Sequence, residues 1–397
     1  MAFRFWRPAP LLVETHPQLL REGVLNLPRV ADSMKKGGLF IIASVIQGEF
    51  TARTVEARQQ ELHVWNELIA RERFKALPVC TVAKTFRDGV RQCLQLTGLG
   101  PVRPNLIMLS WFGSHMECGL GEFAGIVRDI RLSDMHLAVC RNFDTLNTAE
   151  ITFYTSWMRL NPVARGVVDT PVNMFLDVWA LPLLLPSHST EGLADTAARS
   201  SVLVDKHGLP GATEDARPQA DGWPEFSTSL ELCLLLANTL RMSPFWGKHT
   251  AMRLVAISDT NEGMAPLHAR WTRYLSHIRM RAAIKVISME EELLAAGLPP
   301  TPPSKVSLGR DKMPISTLAA PAFFGRYPPA ARLATAQRLL LLHSRSTCIA
   351  FLPASPQPGS EAPDQDLAYL ADLQTLTDRA PACMLLHART PVVYTDL

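Results

Sequence analysis

No apolar run in this 397-residue chain comes near the roughly 20 residues that a membrane-spanning helix needs. The most apolar windows, 106–112, 176–185 and 339–342, are far shorter. Prolines at Pro8 and Pro10 interrupt an N-terminal stretch too short for a signal-peptide core. No block of five or six like charges occurs, and 40 Lys and Arg stand against 37 Asp and Glu. That removes the electrostatic footprint of a nucleic-acid binder. Aromatic residues are 7% of the chain, too few for a stacking platform.

The seven cysteines form no CxxC or CxxxxC pair and their number is odd, which argues against a disulfide framework and a zinc site. They read as small buried hydrophobes of a reducing compartment, and the lack of an Asn-x-Ser/Thr sequon agrees. GxxxxGK[ST], GxSxG, HExxH and EF-hand patterns are all missing, and the eleven histidines form no His-x-His or His-x₃-His pair. No catalytic residue and no metal is assigned, and the chain is not read as an enzyme.

What is present is a composition able to bury a core: 47% apolar and 19% charged residues over a length of two or three domains. Short apolar runs alternate with amphipathic stretches, the pattern of βα units. Strands are expected at 11–14, 39–46, 78–84, 105–112 and 136–141, with 173–179 as a sixth in the same sheet. Further strands are expected at 252–258, 284–289, 348–352, 383–387 and 392–394. Helices are expected at 17–34, 54–73, 86–96, 121–132, 230–242, 264–280, 330–343 and 366–378. The expected fold is α/β, with two open, mainly parallel sheets flanked by helices. A first subdomain spans 1–186 and a flexible Gly-, Pro- and Ser-rich insertion spans 187–226. A second subdomain spans 227–397, interrupted by Pro-rich 297–329.

Few local motifs carry chemistry. Gly119, Gly121 and Gly125 imitate a dinucleotide fingerprint, but the spacing is GxGxxxG, which favours a glycine-rich helix entry. Lys35-Lys36-Gly37-Gly38 precedes a buried strand. Two lysines beside flexible backbone suit a phosphate, but before any resemblance is weighed they suit a helix C-cap better. Ser44, Arg87, Asp88 and Ser110-Trp111 lie at or near the carboxyl ends of successive strands, where open parallel sheets collect ligands.

The ordered set Trp6-Arg7-Pro8, Leu39–Phe50 (LFIIASVIQGEF), Phe86–Val90 (FRDGV), Asn105–Trp111, Asp177-Val178-Trp179, Met252–Met289 and Asp372–Leu386 resembles the cytosolic C-terminal domain of cation-chloride cotransporters, the solute carrier 12 family. The long insertion, the Pro-rich interruption and Pro8-Ala9-Pro10 make it resemble most the divergent, cotransporter-interacting-protein branch. The resemblance implies two halves similar to universal stress proteins, forming a homodimeric regulatory module on the cytoplasmic side of a membrane. The module would be soluble as the isolated chain and would not transport by itself. Its implied partners are the membrane part of its own or a related cotransporter and a protein kinase. Some family members bind an adenine nucleotide. ATP or ADP would then meet Lys35, Lys36, Gly37, Gly38, Ser44 and Ser110, although the stress-protein G-x₂-G-x₉-G-[ST] loop is absent. Ala334–Leu339 resembles a segment that holds a regulated threonine, which makes Thr335 a phosphorylation candidate beside Arg332 and Arg338. The alternative is a stand-alone soluble adenine-nucleotide-binding protein of the universal-stress type.

Overall fold

Among the described residues the apolar runs form ten strands, all in one sheet. The computed structural model describes residues 6–14, 25–35, 38–98, 102–111, 118–133, 135–153, 174–181, 228–258, 260–295, 329–354 and 363–389. The first half alternates β1 (Pro10–Val13), α1 (Asn26–Met34), β2 (Ile41–Gln47), α2 (Ala52–Glu72), β3 (Leu77–Ala83), α3 (Phe86–Leu96), β4 (Leu106–Ser110), α4 (Leu120–Leu132) and β5 (His136–Arg141). The second half opens with β6 (Met174–Ala180), α5 (Thr228–Arg241), α6 (Pro244–His249), β7 (Thr250–Ser258), α7 (Met264–His277) and β8 (Ala283–Ser288). It closes with α8 (Met289–Ala295), α9 (Pro329–His343), β9 (Thr347–Pro353), α10 (Pro363–Thr377) and β10 (Ala382–His387). The insertion, the Pro-rich interruption and the strand expected at 392–394 lie outside the described residues.

Local chemistry accounts for two of the helix starts. The Thr51 hydroxyl accepts from the Thr54 N–H while the Thr54 hydroxyl accepts from the Thr51 N–H, a reciprocal cap on α2. Thr85 caps α3 by accepting from the Asp88 N–H. The short helices α6 and α8 were not expected from periodicity, because six or seven residues carry too few turns to show one.

The strand order is β3-β2-β1-β4-β5-β10-β9-β6-β7-β8. Neighbours within each half are parallel. Numbered from its own first strand, each half reads 3-2-1-4-5, so one doubly wound unit occurs twice. The two sheets expected from the sequence are therefore two runs of a single sheet, joined by the antiparallel pair β5–β10 from Cys383↔Arg141 to His387↔Leu137. The strand β6 does not extend the first half as expected. It pairs with β7 and β9 at the centre of the second. A strand buried on both faces is apolar whatever its neighbours are, so its run alone does not name them.

Two cores follow, one on each face. The first packs α1, α2, α5 and α7 onto the sheet around Leu12, Ile42, Trp65, Leu176 and Leu235. The second packs α3, α4, α9 and α10 around Val13, Val45, Ile107, Trp179 and Leu352. All seven cysteines are free and buried, as expected. The seam between the halves also carries buried polar groups. Asn142, in the left-handed region just after β5, donates from Nδ2 to Thr377 O at 2.8 Å and Ala380 O at 2.9 Å. His136 accepts from the Arg389 N–H at 3.2 Å and meets the Trp6 ring edge-on.

Two predictions follow from this packing. A Cβ at Gly89 would stand 2.2 Å from Val45 Cγ1, and the β-branched valine has no free rotamer to yield. Gly89→Ala is expected to lower the unfolding free energy by about 1–3 kcal/mol in urea titration, as overpacking does. Burial pushes both His136 and His387 down to about 4, so the folded seam keeps both rings neutral. The unfolded chain takes up those protons near pH 6.5. The associated stability is therefore complete above about pH 6.5 and is lost as the pH falls towards 4. Thermal unfolding followed from about pH 7.5 to about 4.5 should show this slope, and His387→Leu should flatten it.

Candidate functional site

In an open parallel sheet, ligands sit beyond the carboxyl ends of the strands where the strand order reverses. In the first half that point lies between β1 and β4. Side chains alternate along each strand, so Glu14, Ser44 and Ser110 share one face with the core residues Leu12, Ile42 and Met108. Glu14 is fully buried just past β1, and its N–H donates to Ala43 O at 3.0 Å. Ser44 is buried in β2, in register with Cys80. Ser110 ends β4 in register with Cys140, and its Oγ is buried without a hydrogen-bond partner.

On the opposite face, Arg141 closes β5 and lays its guanidinium over the Trp111 ring at 4.5 Å. Arg141 is only 8% exposed, and its Nε and Nη1 have no hydrogen-bond partner. Desolvation lowers its pKa from the ordinary arginine range. Trp111 leans in turn on Phe123 of α4, with ring centroids 5.2 Å apart. The α4 helix begins at Gly119 without a side-chain cap, and a Cβ at Gly119 or Gly121 would meet nothing within 4 Å. The third glycine of the GxGxxxG run has a packing role instead: a Cβ at Gly125 would stand 2.6 Å from Arg87 Nη1. Arg87 there donates to both Asp129 oxygens, at 2.6 and 2.8 Å, and Arg91 shares the same carboxylate. The hydrogen bonds from Arg87 and Arg91 hold the Asp129 carboxyl below its usual range against desolvation, the largest single effect, which raises it.

Ser44 and Ser110 therefore meet at the crevice, but Lys35 does not join them. It is the C-cap of α1, at the end of the sheet where the first-half strands begin. Its buried ammonium donates to Asp32 and to Lys75 O, and the Gly38 N–H returns to Lys35 O at 2.7 Å. This is the C-cap geometry that the same residues also suited. Lys36 and Gly37 lie outside the described residues. Glu14 and Arg141 were not assigned from the sequence. The available signal was a charged residue closing an apolar run, in PLLVE and HLAVCR.

The helix that carries Thr335 is tied to a buried ionic network. Thr335 is half-buried on α9, between buried Leu333 and Ala336, and the Arg332 side chain lies outside the described residues. Arg338 donates to Glu292 O at 3.2 Å. At the end of α9, His343 Nδ1 stands 2.9 Å from Lys285 Nζ, and Nε2 stands 2.9 Å from Glu292 Oε1. An ammonium only donates, so Nδ1 accepts and Nε2–H donates to Glu292. Burial and then Lys285 lower the His343 pKa, which keeps this ring neutral. Beneath it, Asp177 in β6 is paired bidentately with Arg253 in β7, at 2.8 and 2.7 Å, and accepts from the Thr347 hydroxyl. Burial pushes the Asp177 carboxyl up while the Arg253 bonds pull it down, and the fork geometry is that of a carboxylate. Arg253 also donates to His343 O at 3.2 Å and stacks on Phe175 at 4.2 Å.

A third feature lies at the outer edge of the first half. Phe50, Leu77, Leu96 and Val102 are 80%, 54%, 78% and 55% exposed, and all four line one groove of about 790 Å³ beside β3. Strand addition at that edge is obstructed. Leu77 N–H bonds inward to Phe40 O, so the ladder's alternation turns Pro78 and Cys80 outward. Pro78 has no N–H to offer, and Cys80 O already accepts from Arg58 Nε at 2.7 Å.

A family model described as "Solute carrier family 12" matches residues 27–157. Solute carrier family 12 member 9 of Danio rerio is 23% identical over 410 aligned positions, covering 99% of this chain and 41% of that protein. The Xenopus laevis member 9 is 25% identical with the same coverage, and the Homo sapiens member 9 is 32% identical over 109 positions, 28% of this chain. The chain is therefore similar to members of solute carrier family 12. It spans about two-fifths of the length of the first two of these relatives. A crystal structure of the cytoplasmic domain of a prokaryotic cation chloride cotransporter aligns over 98% of each chain, with a TM-score of 0.48 and 10% identity.

Asp177→Ala, which strands the buried Arg253 charge, is expected to cost about 3–5 kcal/mol in denaturant unfolding, as breaking buried pairs does.

Proposed function

We propose that this chain is the cytosolic regulatory and dimerisation domain of a cation-chloride cotransporter, without catalysis or transport of its own. The observation that carries the reading is the alignment over 99% of this chain to solute carrier family 12 members of more than twice its length. Among the described residues no helix is long and apolar enough to cross a membrane, so transport would fall to other parts of the protein or to a partner transporter. The working partners are a second copy, the membrane part of the same or a related cotransporter, and a protein kinase acting at Thr335. A phosphate there adds about −1.5 to −2 charge on α9, whose end is tied to β8 by the Lys285–His343–Glu292 chain. The exposed apolar groove beside β3 supports a side-chain contact between proteins at that edge.

A second reading, an adenine-nucleotide-binding protein of the universal-stress type, draws support from the β1/β4 crevice. There Arg141 offers a cation held against Trp111, and Ser110, on the other face of the sheet, offers a hydroxyl. ATP or ADP would enter there rather than at Lys35.

Light scattering at tens of micromolar separates the readings. The first predicts a dimer that Leu96→Glu and Phe50→Glu shift towards monomer by about tenfold in dissociation constant. A strict monomer whose melting point rises in millimolar ATP favours the second, since ligand at about 100 times its Kd adds about 2.7 kcal/mol.

A further inference from the structure

The amino ends of the second-half strands frame a cleft of about 560 Å³ that neither the family likeness nor the β1/β4 crevice explains. Its floor is apolar, with Met252 from β7, Ile284 from β8, and Leu275 and Met280 from α7 and the turn that follows. Its charged groups are two arginines, Arg241 at the end of α5 and Arg281 just before β8. Arg241 uses Nη2 on Asn238 Oδ1 at 3.2 Å, while its Nε is buried without a hydrogen-bond partner.

Hydroxyls also line the cleft, but their protons are committed elsewhere. Thr272 donates to His268 O, Ser276 to Thr272 O and Thr250 to Trp246 O. The donors left for a ligand are the two guanidiniums. Among the described residues neither arginine has a carboxylate within ion-pairing distance. The segment 228–288 holds eight Lys and Arg against Glu231, Asp259 and Glu262. Guanidinium forks match phosphate oxygens, and the floor matches hydrocarbon. A free anion would leave the floor wet, and a neutral lipid would leave both arginines without a counter-charge.

We infer that this cleft binds a phosphate-headed lipid, its head held by Arg241 and Arg281 and the start of its acyl chain laid on Ile284, Met252 and Met280. The inference does not depend on the cotransporter reading, because it stands on the cleft alone.

The test is calorimetric titration of the full chain with dihexanoyl phosphatidic acid below its micelle concentration. Dihexanoyl phosphatidylcholine and inorganic phosphate serve as separate probes. The phosphatidic acid is expected to bind about tenfold more tightly than either. Arg281→Gln and Arg241→Gln should each weaken it by about fivefold with an unchanged melting point. Ala283→Glu, at an exposed position of the same cleft, should abolish binding by placing a carboxylate there. No heat with phosphatidic acid up to millimolar, or full affinity in both arginine variants, overturns the site. Equal affinity for inorganic phosphate overturns the lipid assignment, and equal affinity for phosphatidylcholine overturns the role of the arginines.

Discussion

The antiparallel pairing of β5 with β10 holds the two halves as one molecule. Each half is a five-stranded 3-2-1-4-5 unit with β5 or β10 as an edge. A long apolar edge left open is a template for unwanted pairing. Here each edge covers the other. HLAVCR and ACMLLH lie in register, and nearly every residue in both is buried. Because the halves meet head to tail across this pair, their faces stay matched: α1 and α2 lie on the same side as α5 and α7. The strands' carboxyl ends, by contrast, point in opposite directions. The β1/β4 crevice and the arginine-rimmed cleft therefore open towards the same end of the sheet, one beyond strand ends and the other before strand starts.

Some of the polar groups inside this sheet have an identifiable structural task. Asn142 crosses the seam to the turn between α10 and β10. Asp177 and Arg253 tie β6, β7 and β9 below α9, at a desolvation cost that only the bidentate geometry and the Thr347 bond offset. At the outer edge Pro78 and Arg58 remove the hydrogen-bonding groups that a stray strand would use. The exposed apolar side chains beside them can then contact another surface without extending the sheet.

Much of the fold was legible because the strands are fully buried. LFIIASVI, NLIMLSW and TCIAFLP are apolar end to end, and the described strands fall within a residue or two of where those runs placed them. The caps at Thr51 and Thr85 follow from side-chain chemistry within one turn. The site was less legible. Ser44 and Ser110 could be placed at strand ends, but the Lys35 turn stands at the other end of those strands, where its ammonium is consumed by Asp32 and Lys75 O. Arg141 draws its meaning from Trp111, thirty residues away.

The sequence by itself determined the α/β class, the ten described strands, the buried thiols and the likeness to solute carrier family 12, because burial pattern and short-range motifs are local properties of a chain. Only the tertiary structure decided that the halves share one sheet, that β6 belongs between β9 and β7, and that Arg241 and Arg281 face one cleft. Strand order and side-chain convergence depend on which distant segments come to lie side by side. An apolar strand offers its hydrogen bonds equally to any neighbour, so only the packing of the whole chain selects among them.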